Sequence, residues 1–207
     1  AGWLKDEHVA FGFGWNKRSV RIERLKEAVR IVRRLWTENN VSYNGKYFRL
    51  EDATLEPKPF QKPHPPIWIG GNSTAIKSVV AEVGDGWIPV LPTTEQIANG
   101  IIEIKAEMNR FGREPESLQV AYGGSGCAVV AENEERVKKL ADPLIRSMGK
   151  PLEELTCLIG TPKQCIQKIE QYQKAGTQKM VAGFYDFPSL HGMRLFAKKV
   201  IPHFSTA

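Results

Sequence analysis

The segment Ile67-Trp68-Ile69-Gly70-Gly71-Asn72-Ser73 restricts the fold of this chain more than any other. A short buried strand ends in two glycines and a polar cap. A helical pattern follows at once, with Ile76, Val79, Val80 and Val83 on one face. Gly84 is predicted to stop that helix in the left-handed conformation, before Asp85-Gly86-Trp87 opens the next strand. Two readings of the loop stand side by side. Gly70 and Gly71 let backbone approach a ligand closely, and Asn72 or Ser73 starts the helix with its amides outward, so a phosphate fits there. Alternatively, Gly-Gly serves only a tight strand-to-helix turn, as in many such loops.

The same alternation continues to the end of the chain. A strand over 87–91 leads to a helix opening at Thr93, with Gln96 as the partner in a capping box and Ile97, Ile101, Ile104 and Met108 inward until Gly112. A strand within 118–131, interrupted around Gly123-Gly124-Ser125-Gly126, precedes a helix from about Asn133 with Val137, Leu140, Ala141 and Leu144 inward. Thr161-Pro162-Lys163-Gln164 starts a helix that buries Ile166, Ile169 and Tyr172 and closes at Gly176. A strand over 180–185 and a last helix with Leu195, Phe196, Val200 and Ile201 complete the series. Such repetition specifies an α/β fold with a parallel sheet and right-handed crossovers. Four strand-to-helix units in 207 residues are expected to form about the second half of a TIM (β/α)8 barrel, as a single partial domain over 1–207. Half a barrel leaves two open edges, so a homo-oligomer is expected.

Residues 41–66 form an excursion. Val41–Tyr43 and Lys46–Leu50 flank Asn44-Gly45, the signature of a two-residue hairpin turn, and five prolines from Pro57 to Pro66 mark an extended connector. Before it, Leu25, Ala28, Val29, Val32, Leu35 and Trp36 recur at helical spacing among seven basic residues from Arg18 to Arg34. Glu23 and Glu27 are placed to pair with Lys26 and Arg30, which favours a solvated helix face over nucleic-acid binding despite a net charge of +6. No apolar run approaches the roughly 20 residues needed to span a bilayer, and no signal core is present, so a cytoplasmic protein with no membrane partner is expected. Cys127, Cys157 and Cys165 lack metal or disulfide spacing and read as packed thiols; no metal site is expected.

The motifs taken in order resemble the luciferase-like flavin and deazaflavin oxidoreductase superfamily, which includes bacterial luciferase and alkanesulfonate monooxygenases. Ala1-Gly2-Trp3-Leu4 resembles the loop after the fourth barrel strand, RLKEAVRIVRRLWT the following helix, and the stretch from Val41 to Ser73 the hairpin and fifth strand. Asp85-Gly86-Trp87 matches the sixth strand, and GTPKQCIQKIEQYQKAG and LRLFAKKVIPHF the approach to the eighth strand and the terminal helix. The resemblance implies a luciferase-like barrel that binds FMN or coenzyme F420 at the carboxyl ends of its strands and acts as an oxidoreductase or monooxygenase on a small-molecule substrate. It implies that Gly70, Gly71, Asn72, Ser73 and Thr74 hold the cofactor phosphate, with Gly2 and Trp3 near the ring or ribityl region, although Trp3 reads equally as a packing residue. The first three strands of the family pattern are absent from this chain. The preferred expectation is a piece of a longer enzyme; the alternative is a shortened relative that binds flavin without turnover.

No catalytic group is assigned, because in such enzymes the cofactor carries the electrons. Tyr122, Tyr185 and Asp186 fall near strand ends and could face a pocket, but the structural or surface reading is favoured for each. His8, His64, His191 and His203 have no carboxylate or cysteine at metal-ligand spacing. Ser73 lacks a nucleophile-elbow pattern, and Gly123–Gly126 lacks dinucleotide-loop spacing. A sugar-phosphate-binding barrel protein remains a further alternative, resting on the Gly-Gly loop alone.

Overall fold

A computed structural model describes residues 1–205, at positions 125, 126 and 153 through the backbone alone. The chain divides into two compact units, one of residues 1–69, 73–87 and 104–118, the other of residues 70–72, 88–103 and 119 onward. In chain order the elements are α1 (Lys5–Ala10), α2 (Arg18–Thr37), β1 (Val41–Asn44), β2 (Arg49–Ala53), β3 (Trp68–Gly70), α3 (Thr74–Val83), β4 (Gly86–Ile88), α4 (Thr94–Arg110), β5 (Gln119–Val130), α5 (Glu134–Met148), β6 (Ile159–Gly160), α6 (Pro162–Lys174), β7 (Lys179–Phe184), α7 (His191–Lys199) and α8 (Ile201–Phe204). Among the described residues, no helix is long and apolar enough to cross a membrane.

In the first unit, α2 packs against α3 and β1. Two neighbours cover more of its surface than one stripe, so Ile22 and Ile31 are buried as well as Val29, while Val32, expected on the inner stripe, is 38% exposed. Lys26 pairs with Glu23 as expected, at 3.2 Å, but Glu27 does not pair with Arg30. Arg30 reaches Glu82 instead, and the Glu27 carboxylate is buried against the hairpin. There Oε1 accepts the Lys46 amide at 2.9 Å, and Oε2 accepts those of Tyr47 and Phe48 at 3.0 and 3.2 Å. This capture also replaces the expected two-residue turn. Asn44 pairs with Arg49, which leaves residues 45–48 as a four-residue loop wrapped on Glu27. Gly45 is required by close approach, since a Cβ there would meet the carboxylate oxygen at 2.5 Å.

Helix α3 begins at the expected cap: Ser73 Oγ accepts the Ile76 amide at 3.4 Å, and Ile76, Val79, Val80 and Val83 are buried. Its end differs from expectation. Gly84 is extended, with φ −90°, rather than left-handed. A left-handed cap would satisfy the last carbonyls locally, but here arginines supply the donors. Arg113 Nη1 donates to the carbonyls of Val80 and Ala81 at 3.0 and 2.8 Å, and its Nη2 donates to Gly84 at 2.6 Å. Arg33 Nη2 donates to Val83 O and to Asp85 Oδ1, each at 3.0 Å, while Asp85 Oδ2 accepts the Ile67 amide at 2.8 Å.

The second unit is built around β5. It pairs in parallel with β7, from Ala121↔Lys179 to Ala128↔Phe184, and with β6 through Val129↔Ile159 and Val130↔Gly160. The expected interruption at Gly123–Gly126 is a register shift between Gly124 and Ala128 within one strand, and the side chains at 125 and 126 lie outside the described residues. Cys127 and Val129 face Ala141, Leu144, Leu155 and Cys157; Ala128 and Val130 face Leu158, Cys165, Ile169 and Val200. Both faces are covered, which is why this part of the strand is apolar without alternation. All three cysteines are buried packed thiols, and burial pushes the Cys165 thiol up to about 12, so it stays protonated. The capping boxes at Thr93/Gln96 and Thr161/Gln164 both form. Strand β6, only two residues long, has no counterpart among the expected elements.

Two stability measurements follow from the first unit. Glu27→Ala exposes three amides at once and is expected to lower the unfolding free energy by about 2–4 kcal/mol in urea titration, with Glu27→Gln losing about half as much. A loss below about 0.5 kcal/mol, typical of a surface position, would contradict the buried role. Arg113→Met is expected to cost about 2–3 kcal/mol by the same measurement, and Arg113→Lys to recover only part, because an ammonium lacks the planar fork that serves three carbonyls.

Candidate functional site

Residues 70–74 leave the carboxyl end of β3 and enter α3. Of the two glycines, only Gly71 is required by conformation: its φ is +130°, whereas a Cβ on Gly70 would make ordinary contacts of 3.6 and 3.8 Å with Ile88. The Gly71 amide donates to Ile88 O at 3.2 Å. The Asn72 carboxamide is engaged with Val90: Oδ1 accepts the Val90 amide at 2.7 Å and Nδ2 donates to the Val90 carbonyl at 2.8 Å, which leaves its main chain as the part open to a ligand. Ser73 caps α3 through both its carbonyl, which accepts from Ile76 and Lys77, and its hydroxyl oxygen, which leaves the hydroxyl proton available to donate. Helix geometry gives the amides of Thr74 and Ala75 no acceptor within the helix. With Gly70, Asn72 and Thr74 exposed, the segment offers main-chain donors and two hydroxyls to solvent at the positive end of a helix.

The amino-terminal candidates belong to the first unit. Gly2 adopts φ +71° with the His8 ring where a Cβ would stand, and the Trp3 side chain is 86% exposed, so it does not serve as a packing residue within its unit. Tyr122 is structural: it is 1% exposed, its hydroxyl donates to Thr156 O at 2.8 Å, and its ring lies 4.8 Å from that of Tyr172. Burial pushes its phenol well above the ordinary range. Tyr185 and Asp186 follow β7, with Tyr185 partly exposed. Asp186 Oδ2 accepts the Gly192 amide at 3.0 Å near the start of α7, while Oδ1 is buried with no hydrogen-bond partner among the described residues.

The histidines are less isolated than their spacing implies. His191 Nε2 stands 2.6 Å from Glu132 Oε1 beyond the carboxyl end of β5, and His203 Nε2 stands 3.0 Å from Glu170 Oε1. These partners are 59 and 33 residues away in sequence, beyond the reach of any local motif. The Asn72–Val90 pair has no local signature either: Asn72 carries a cap-like signal, but nothing nearby in sequence marks its partner.

Comparison with known proteins places this geometry in a family. Residues 1–155 match the family model for luciferase-like monooxygenases. The FMNH2-dependent dimethylsulfone monooxygenase of Pseudomonas putida is 27% identical over 98% of this chain and 63% of its own length. The F420-dependent glucose-6-phosphate dehydrogenase of Segniliparus rotundus is 23% identical over 91% of the chain and 62% of its own length. The chain thus spans about three-fifths of the length of these curated relatives. Among solved structures, the monooxygenase RslO1 from Streptomyces bottropensis superposes with a TM-score of 0.75 at 24% identity, over 98% of this chain and 67% of that one. The EDTA monooxygenase of Chelativorans sp. BNC1 also gives 0.75, at 18% identity over 96% and 62%. The fold is that of part of a luciferase-like (β/α)8 barrel, and the chain belongs to the luciferase-like monooxygenase family.

Proposed function

We propose that the protein is a flavin- or deazaflavin-dependent oxidoreductase that binds FMN or coenzyme F420, with the cofactor phosphate held by residues 70–74. The observation that carries this reading is the exposed start of α3, where the positive-φ Gly71 turns the chain and first-turn amides stand beside the Ser73 hydroxyl. An anion is stabilised there by direct donation and by the helix dipole. The residues fit the group: Gly71 shapes the turn, the amides from Asn72 to Ala75 and the hydroxyls of Ser73 and Thr74 would hold the phosphate, and no carboxylate lies within the segment. When bound, the cofactor supplies redox chemistry, as hydride transfer for the deazaflavin or oxygen activation for reduced FMN. The contribution of residues 70–74 is to bind and orient the cofactor through its phosphate, leaving the ring to the rest of the site. Relatives named for each cofactor support the general reading without choosing between the two. Action on a small-molecule substrate belongs to the same proposal. So does self-association, which the strand edges favour: β3 has β4 as its one hydrogen-bonded strand neighbour among the described residues.

Titration of the full polypeptide with FMN and with coenzyme F420, followed by cofactor fluorescence, tests the reading. Saturable binding of one of them is expected. Ser73→Ala should weaken it about tenfold and lower stability by about 1 kcal/mol through loss of the cap. Gly71→Glu, which puts a carboxylate and a strained φ at the anion position, should abolish it. Binding that neither substitution alters would overturn the phosphate assignment, and turnover of no substrate despite tight binding would favour the non-catalytic relative.

A further inference from the structure

Asn72 makes two hydrogen bonds to a single residue, and both use its side chain. The Val90 amide donates to Oδ1 at 2.7 Å, and Nδ2 donates to the Val90 carbonyl at 2.8 Å. Only one orientation of the carboxamide satisfies both, since the amide needs an oxygen and the carbonyl needs an N–H. With the bond from the Gly71 amide to Ile88 O, three hydrogen bonds tie residues 71–72, just past β3, to Ile88 at the end of β4 and Val90 just past it. The receiving segment is itself anchored. Val90 bridges Gly123 of β5, the Gly123 amide donates to Pro89 O at 3.0 Å, and the Leu91 amide donates to Gly123 O at 2.8 Å.

We propose that Asn72 is the positioning residue of the phosphate loop: its carboxamide acts as an added rung that holds the Gly71 turn against the Pro89–Leu91 segment, so that the main chain and hydroxyls of residues 72–75, not the Asn72 side chain, read the phosphate. The proposal rests on the phosphate reading above and adds to it a division of labour. A carboxamide whose oxygen and one N–H are committed to Val90 is poorly placed to serve as a principal ligand. An alanine there would free the loop from one of its two attachment points. Loop freedom then has to be lost again when phosphate binds, which weakens phosphate-bearing ligands selectively. A ligand with the same ring and ribityl chain but no phosphate does not draw on the loop and is unaffected.

The test compares each cofactor with its phosphate-free form: FMN with riboflavin, or coenzyme F420 with the deazaflavin riboside. Dissociation constants are measured by fluorescence on the full polypeptide, and Val90 amide exchange is followed by NMR. Asn72→Ala is expected to weaken the phosphorylated ligand about tenfold, to leave the phosphate-free ligand within twofold (~2), and to accelerate Val90 exchange. Asn72→Asp keeps the acceptor for the Val90 amide but loses the donor to its carbonyl and adds a negative charge, so it should lose more phosphate preference while protecting Val90 better than alanine does. An unchanged preference, or unchanged Val90 exchange, in Asn72→Ala overturns the proposal. If the unsubstituted protein shows no preference for the phosphorylated ligand, the phosphate reading falls and this proposal with it. If Gly71→Glu removes the preference and Asn72→Ala does not, the phosphate site stands and only the role of Asn72 is overturned.

Discussion

A parallel strand and the helix that follows it both end with backbone amides and carbonyls that the regular ladder no longer pairs, and each buried one must find a partner. In this protein a few polar side chains do much of that work. Glu27 takes three amides of the hairpin loop, Arg113 and Arg33 take four carbonyls at the end of α3, and Asn72 takes both polar backbone groups of Val90. The bonds of Glu27 and of the two arginines are charge-assisted, stronger than neutral ones, and all of these contacts fix direction. They allow Gly84 to stay extended and the hairpin to close as a four-residue loop, where local propensity alone predicts a left-handed cap and a two-residue turn.

That distinction also separates what could be read from the chain from what could not. Capping at Ser73, Thr93 and Thr161 was legible because donor and acceptor lie within three or four residues, and the helix periodicities that bury Ile76, Val79, Val80 and Val83 are equally local. The alternation of strands and helices sufficed to anticipate the α/β class. The partners of Glu27, Arg113 and Asn72 lie 19 to 21, 29 to 33 and 18 residues away, outside any local pattern. Val32 departs from its expected burial for a related reason: periodicity finds one stripe, whereas α2 meets neighbours on two sides. Glu132 beside His191 and Glu170 beside His203 are further pairs that only the fold brings together.

For the candidate site the consequence is specific. The residue types around Gly71 suggested a phosphate loop, yet the geometry divides their work: Gly71 sets the turn, Ser73 caps and retains a proton to donate, and Asn72 faces Val90. Tyr122 moves from possible pocket residue to core, its hydroxyl satisfied by Thr156. Recognition through main-chain amides depends on loop shape more than on side-chain identity, which suits a family whose relatives are named for two different cofactors.

The most direct test of the central claim is amide-resolved: hydrogen exchange of Asn72 to Ala75 in the full polypeptide, with saturating FMN or coenzyme F420 and again with the phosphate-free form of the same cofactor. The account predicts that the phosphorylated cofactor slows exchange at these amides and that its phosphate-free form leaves them nearly unchanged. Equal protection by both ligands, or protection confined to other segments, would contradict it.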